Sequence, residues 1–357
     1  MYLHALATLV PEASYTQRDC WDIAARSPLR QTLSRRSQLI IRAILQGTKS
    51  GIAKRHFAAD DVENLFNRTP DELNAVFRRE APLLAGRALR EAASQAEIDL
   101  EDIDALLIST CTGYLCPGVS SYVAEQLGLR PNVFLQDLVG LGCGAAIPTL
   151  RAAQGLLRQD PAATVACIAV EICSAAFYVD DDPGVLVSAC LFADGAAASV
   201  WRSQPKDDRA LGCDSFTTHH EPGLRDHLRF EQRNGRLRNL LHASVPELAG
   251  QAVKRLFAQE RERPHGRPIV RAVVHPGGRD VLDAIEPQLD GLSLDSSRRV
   301  LEQYGNMSSP SVLFALAEAL KSDAPNGSGD WWLTSFGAGF SVHGCRFGSR
   351  NGHHAVA

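Results

Sequence analysis

The stretch "LVGLGCGAAIPTL", Leu138–Leu150, places Cys143 between Gly142 and Gly144, where an apolar run gives way to a helix-like pattern. Small neighbours on both sides let another group approach the backbone closely. A thiol at this junction admits two readings. Free cysteine is among the most buried residue types, so packing accounts for it. A nucleophile at a helix N-terminus accounts for it equally. Unpaired N–H groups and the helix dipole favour the thiolate and are expected to lower its pKa toward neutrality.

Strand-like and helix-like segments alternate on either side. A first strand is expected in "MYLHALATLV", then a helix capped by Thr16 with Asp19 three residues on. Residues 71–97 have the spacing of a long amphipathic helix, with a break or bend expected at Pro82. "IDALLIST", "NVFLQDLV", "TVACIAVEICS" and "AAASVWRS" have the character of buried strands, and "SSYVAEQLGL" and "IPTLRAAQGLLRQ" of helices. The polar, weakly patterned region 203–240 is expected to connect two halves. The pattern then restarts with the helix "VPELAGQAVKRLFAQER", the strand "PIVRAVVHPGG" and the helix "DVLDAIEPQL". A further helix is expected to open at Ser308 or Ser309, and the tail from Gly348 to fray.

The totals bound the function. A chain of 357 residues with 45% hydrophobic and 22% charged residues suits a globular α/β protein of two domain-sized units. A net charge of -4 offers no general attraction to nucleic acid. No run of 18 or more apolar residues provides a membrane span. Nine cysteines, an odd number without a regular framework, fit reduced thiols and a cytoplasmic location. Cys111 and Cys116 are close enough in sequence for half of a metal site, but no second pair completes one, so no metal is expected.

An internal echo links the halves. "ALLISTCTG" and "AVVHPGG" are both apolar strands ending in glycine-bearing turns. "GLGCGAAIPTL" and "YGNMSSPSVLF" both run from glycine through a polar or reactive residue to proline and a helix. From Cys111 to Cys143 is 32 positions, and from His275 to Asn306 is 31. Duplicated halves would bring these junctions together across a pseudo-twofold axis. Each residue alone has a structural reading: His275 as a core histidine, Asn306 as a turn cap. His219, His220, His353 and His354 fall in polar or terminal stretches and are expected to face solvent. Together, Cys143, His275 and Asn306 supply a nucleophile, an imidazole and an amide donor, the parts needed for thioester chemistry.

The wording of these stretches resembles the type III polyketide synthases, the chalcone synthase family. "GLGCGAAIPTL", "VVHPGG", "YGNMSSPSVLF", "LFADGAAASV" and "SFGAGF" occur in that family's order from Leu138 to Phe340. The resemblance implies a thiolase-like, five-layered αβαβα fold of two duplicated halves, here divided as residues 1–205 and 206–357. It implies a homodimer that uses CoA thioesters, acyl-CoA and malonyl-CoA, with no further cofactor. The family's nucleophile falls on Cys143, as a thiolate paired with protonated His275. Its histidine and asparagine fall on His275 and Asn306, and its gatekeeping phenylalanine on Phe192. The same resemblance places Cys111, Thr112, Cys116, Ala176, Phe336 and Gly337 around the substrate, and Lys49, Lys54 and Arg55 near the CoA phosphates.

Three departures concern the product. The family's C-terminal loop usually reads Gly-Phe-Gly-Pro-Gly, whereas Ser335 and Ala338 stand in "SFGAG" here. Cys116 precedes Pro117-Gly118 where a methionine often reaches across the dimer. Ala176 replaces a pocket threonine and leaves room for a longer acyl chain. The alternatives to be excluded are a ketoacyl synthase acting on acyl carrier protein, a non-catalytic or lipid-binding relative of the same fold, and a papain-like hydrolase.

Overall fold

The computed structural model describes residues 1–60, 62–207, 210–263, 267–322 and 329–349. The tail from residue 350, with His353 and His354, lies outside the described residues. The strands of the main sheet are β1 Tyr2–Leu9, β2 Ala105–Ser109, β3 Phe134–Leu138, β4 Val165–Glu171, β5 Gly195–Arg202, β6 Leu211–His220, β7 Ile269–Val274, β8 Asp330–Gly337 and β9 Ser341–Ser349. They join in the order β7-β8-β9-β6-β1-β5-β4-β2-β3.

That order contains a repeat. In the first half β2 runs parallel to β4, β4 antiparallel to β5, and β5 antiparallel to β1. In the second half β7 runs parallel to β8, β8 antiparallel to β9, and β9 antiparallel to β6. The halves meet where β1 touches β6, at Tyr2 opposite Gly212 and Leu3 opposite Leu211.

The helices complete the layers. Ala146–Gln159 packs on β2 and β4 of one half and on β8 and β9 of the other. Ser311–Ser322 packs on β1 and β5 and on β7 and β8. These two helices form a middle layer between the sheets. Pro70–Ala96 and Val119–Leu127 cover the outer face of the first sheet, and Val245–Arg261 covers that of the second. Strands buried on both faces read as continuous apolar runs. Leu106 and Ile108 of β2 enter the outer core while Leu107 enters the middle one. Trp331 and Trp332 of β8 divide in the same way between the middle core and the second outer core.

Three local expectations change. The helix Pro70–Ala96 continues through Pro82. Proline removes one hydrogen bond, but Ala81, Leu84, Ala85, Ala88 and Leu89 bury a stripe against the sheet that holds the helix together. Region 203–240 is more than a connection: it contains β6 and a hairpin of Leu228–Arg233 with Arg236–Leu241. Its turn is Asn234-Gly235, with φ of 51 and 75 at the two residues. That dipeptide favours tight hairpins because both positions require positive φ. The last middle-layer helix opens at Ser311, leaving Asn306–Ser309 as an ordered turn. Among the described residues, no helix is long and apolar enough to cross a membrane.

The free edge of β7 is covered by a side chain. Ser297 Oγ donates to the Val274 carbonyl at 2.6 Å and accepts from its N–H at 3.2 Å. This fixes the main chain directly before His275. Ser297→Ala is expected to cost about 1–3 kcal/mol, because two buried backbone groups lose their partner. Urea unfolding of the two proteins measures the difference.

Candidate active site

The carboxyl ends of the parallel strands gather the residues singled out in the sequence, as α/β sheets commonly do for their ligands. Thr110–Thr112 follow β2, Glu171 ends β4, His275 follows β7, and Phe336 and Gly337 end β8. Cys143 lies in a tight turn, Gly142–Gly144, between β3 and the helix Ala146–Gln159. Gly142 has φ of 57, which explains the first glycine. Asn306 forms a short parallel bridge with Phe192.

Contacts close a ring through these positions. Ser308 Oγ donates to Cys143 Sγ at 3.3 Å, and Ser308 N donates to Asn306 Oδ1 at 2.8 Å. Asn306 Nδ2 donates to the Gly277 carbonyl at 2.9 Å, and Gly277 N donates to the His275 carbonyl at 2.9 Å. The His275 ring meets Phe336 edge-on, centroids 5.2 Å apart. Beside Phe336, Ser335 Oγ donates to the Gly144 carbonyl at 3.1 Å, which returns the ring to the Cys143 turn. A Cβ on Gly337 would lie 2.5 Å from both Gly144 N and Leu141 O, so this approach excludes any side chain there. Cys143, His275 and Asn306 thus converge from both halves, at 6%, 0% and 3% exposure.

Two participants escaped the sequence reading. Ser308 bridges Cys143 and Asn306. Glu171 is fully buried and accepts six hydrogen bonds: from Thr110 Oγ1, Cys111 N and Sγ, Thr112 N and Oγ1, and Ser309 Oγ. The sequence did carry a signal, an acidic residue in the otherwise apolar run "VACIAVE".

The remaining predicted residues divide. Thr112, Ala176 and Phe192 line one hollow, joined by Cys173, Phe177 and Asn239. Its volume is ≈ 10 Å³, about the space for a single water. Cys111 hydrogen-bonds with Ser308 and Glu171. Cys116 is exposed, as is Tyr114 two residues before it. Lys49 is exposed and Lys54 half-buried. Arg55 requires correction. It is 2% exposed, and its Nη1 donates to the Ala189 carbonyl at 2.8 Å and the Phe192 carbonyl at 3.0 Å. Its guanidinium lies over the Phe57 ring, 5.1 Å from the centroid. The charge points inward, where carbonyl oxygens and an aromatic face receive it, and is withdrawn from a CoA phosphate.

Burial opposes the charges of the expected thiolate–imidazolium pair. Burial pushes Cys143 up to about 12, against the lowering effect of the Ser308 hydrogen bond. Burial pushes His275 down to about 3, and neither ring nitrogen meets a hydrogen-bond partner among the described residues. Desolvation in a closed site exceeds the help from one helix end. Burial thus acts against both charged forms, the thiolate of Cys143 and the imidazolium of His275. Asp194, accepting from Ser174 and Ala58, is raised by burial to about 6.

These shifts set opposite pH slopes. The unfolded chain takes up the His275 proton near pH 6.5 while the folded chain refuses it down to about 3, so this stability is lost as pH falls through that window. Asp194 acts in reverse, its contribution being lost as pH rises from about 4 to 6. His275→Gln isolates the first slope. Between pH 7 and 4.5 the parent is expected to lose about 2–3 kcal/mol more than the variant, measured by urea unfolding at both pH values.

Comparisons with known proteins agree with this geometry. The profile of FAE1/type III polyketide synthase-like proteins matches residues 13–212, and that of the chalcone and stilbene synthase C-terminal domain matches residues 232–349. A 1,3,6,8-tetrahydroxynaphthalene synthase of Streptomyces peucetius subsp. caesius is 29% identical over 347 residues, 94% of this chain and 90% of that protein. A 3,5-dihydroxyphenylacetyl-CoA synthase of Amycolatopsis orientalis is 31% identical over 268 residues, 72% of this chain and 71% of that protein. The crystal structure of 1,3,6,8-tetrahydroxynaphthalene synthase from Streptomyces coelicolor A3(2) shares the fold. Its TM-score is 0.87 at 24% identity, covering 98% of this chain and 99% of that one. With both halves matched in order and the thiolase-like fold shared throughout, the chain belongs to the type III polyketide synthase family of decarboxylating, condensing acyltransferases.

Proposed function

We propose that this protein transfers a starter acyl group from acyl-CoA to Cys143 and extends it with malonyl-CoA to a polyketide that closes to a pyrone, resorcinol or phloroglucinol-type ring. The closed ring of contacts joining Cys143, Ser308, Asn306, His275 and Phe336 carries this reading.

In this mechanism the Cys143 sulfur attacks the starter thioester and CoA leaves. Malonyl-CoA then presents its thioester oxygen to His275 and Asn306. One Asn306 N–H is engaged by Gly277, and the second is free to donate. A neutral His275 has one ring N–H, with no protein acceptor competing for it among the described residues. Two fixed donors in a dry site stabilise the enolate formed as carbon dioxide departs. That carbanion attacks the acyl-Cys143 thioester and lengthens the chain by two carbons. Phe192 and Ala176 line the starter hollow, which is narrow in the free protein, and Phe336 with Gly337 shapes the wall beside His275. Lys49 and Lys54 are the cations of this reading for the CoA phosphates. All nine cysteines are free, which supports a reducing, cytoplasmic setting.

The same reading includes a homodimer. Edge strand β3 leaves Phe134 at 49% exposure, Val139 just past its end is 51% exposed, and the turn after β2 carries Tyr114 at 71% and the exposed Cys116. An unpaired strand edge with apolar side chains is a template for a second copy. Phe134→Glu is expected to convert the dimer to monomer in sedimentation. A parent that sediments as a monomer at micromolar concentration would remove this part of the reading.

Activity is tested with malonyl-CoA and a panel of short, aromatic and long-chain acyl-CoAs, with products identified by mass. Cys143→Ala is expected to abolish the acyl mass shift of the protein. His275→Ala and Asn306→Ala are each expected to slow carbon dioxide release from malonyl-CoA by about 10²-fold or more. Loading retained in the first variant, or release at the parent rate in both others, contradicts the assignment.

A further inference from the structure

The hairpin loop of residues 338–340 joins β8 to β9 and stands against the site. A Cβ on Gly142 would lie 3.1 Å from Ala338 N and 3.2 Å from Ala338 Cβ, so the loop abuts the turn that carries Cys143. Phe340 stacks on Phe336, centroids 6.3 Å apart, and Phe336 in turn meets His275. A chain growing on the Cys143 sulfur has to fold beside this wall. We propose that His343 is a positioning residue for ring closure: through Ser341 it fixes the loop 338–340, and thereby sets which atoms of the polyketide meet. This rests on the reading of Cys143 as acyl acceptor and of the product as a closed ring.

The link is a short line of hydrogen bonds. Ser341 Oγ donates to the Ala338 carbonyl at 2.9 Å, and His343 Nε2 lies 3.2 Å from Ser341 Oγ. The single Ser341 hydroxyl proton is engaged by Ala338, so this oxygen accepts and His343 Nε2 carries the N–H. Nδ1 is then the acceptor, and Thr218 Oγ1 donates to it at 3.0 Å. Burial pushes His343 down to about 4, which favours the neutral ring with one donor and one acceptor.

The ring is tied to the Cys143 turn as well as to the loop. Ser335, His343 and Thr218 lie directly opposite one another on β8, β9 and β6 and form one cross-strand row. From this row Ser335 holds the Gly144 carbonyl, and a Cβ on Gly144 would lie 3.1 Å from His343 Cδ2. The loop has no local lock of its own. Ala338 stands in the place of the family's usual proline, whose ring fixes φ. Side chains do this work instead: Ser341 holds the Ala338 carbonyl, and His220 Nε2 lies 3.2 Å from the Gly339 carbonyl.

Closure onto the thioester forms a C–C or C–O bond from an enolate of the chain as the S–C bond to Cys143 breaks, and the sulfur leaves as thiolate. His343 gives and takes no proton in this step. It acts on position alone, and a displacement of the reacting atoms by about 1 Å costs about 10²-fold in rate.

Products are compared at equal carbon dioxide release from malonyl-CoA, with ring-closed and open chains separated by mass and ultraviolet absorbance. His343→Leu removes both nitrogens, and Ser341→Ala removes the hydroxyl alone. Each is expected to lower the ratio of the parent's ring product to all other products by about tenfold or more. His343→Gln supplies an amide acceptor and donor, and is expected to return this ratio to within about threefold of the parent. The double variant His343→Leu, Ser341→Ala is expected to fall no further than either single variant, because both act through one link. A parent-like ratio in Ser341→Ala, a glutamine variant as low as leucine, or additive losses in the double variant overturns the role of His343 and leaves acyl transfer to Cys143 intact. A parent that releases carbon dioxide but yields only open chains overturns ring closure itself.

Discussion

A carboxylate buried where the two halves meet has to be satisfied by fixed donors, and Glu171 obtains them from both sides. Five hydrogen bonds come from the turn after β2 in the first half, and one from Ser309 in the second. Moving an isolated carboxylate out of water is costly, and the cost falls only when its lone pairs are occupied. Thr110, Cys111, Thr112 and Ser309 are therefore held in place. With Ser309 fixed, its neighbour Ser308 stands against Cys143, and with Ser308 fixed, Asn306 is oriented through its side-chain oxygen.

Duplication supplies the rest of the geometry. Each half ends its parallel strands in short turns, and the middle helices Ala146–Gln159 and Ser311–Ser322 bind both sheets. A turn from one half therefore cannot shift without moving the packing of the other. Ser335 illustrates this. It stands where the family usually has glycine, and its hydroxyl joins the end of β8 to the Gly144 carbonyl beside Cys143.

Much of this was legible in the sequence because the signals were local. Apolar runs marked the strands, Thr16 with Asp19 marked a helix start that the structure shows as a capping box, and the spacing echo marked the repeat. The failures were tertiary. Pro82 looked like a break because local propensity says nothing of the buried stripe around it. Region 203–240 looked irregular because β6 is held by pairing with β9 and its apolar pattern is weak. Arg55 looked like a phosphate contact because charge is visible in a sequence and direction is not. The burial of Cys143 was equally out of sight, because a helix dipole is a local property whereas desolvation depends on everything packed around the thiol.

The clasp on Phe192 has a kinetic meaning. Its carbonyl is gripped by Arg55, its amide donates to Ser188, and the next amide donates to Asn306. The hinge post is therefore nailed down, and the aromatic leaf keeps only its χ1 and χ2 torsions. In the gating role proposed for Phe192, admission is a swivel about two bonds at a stationary jamb, with no loop refolding.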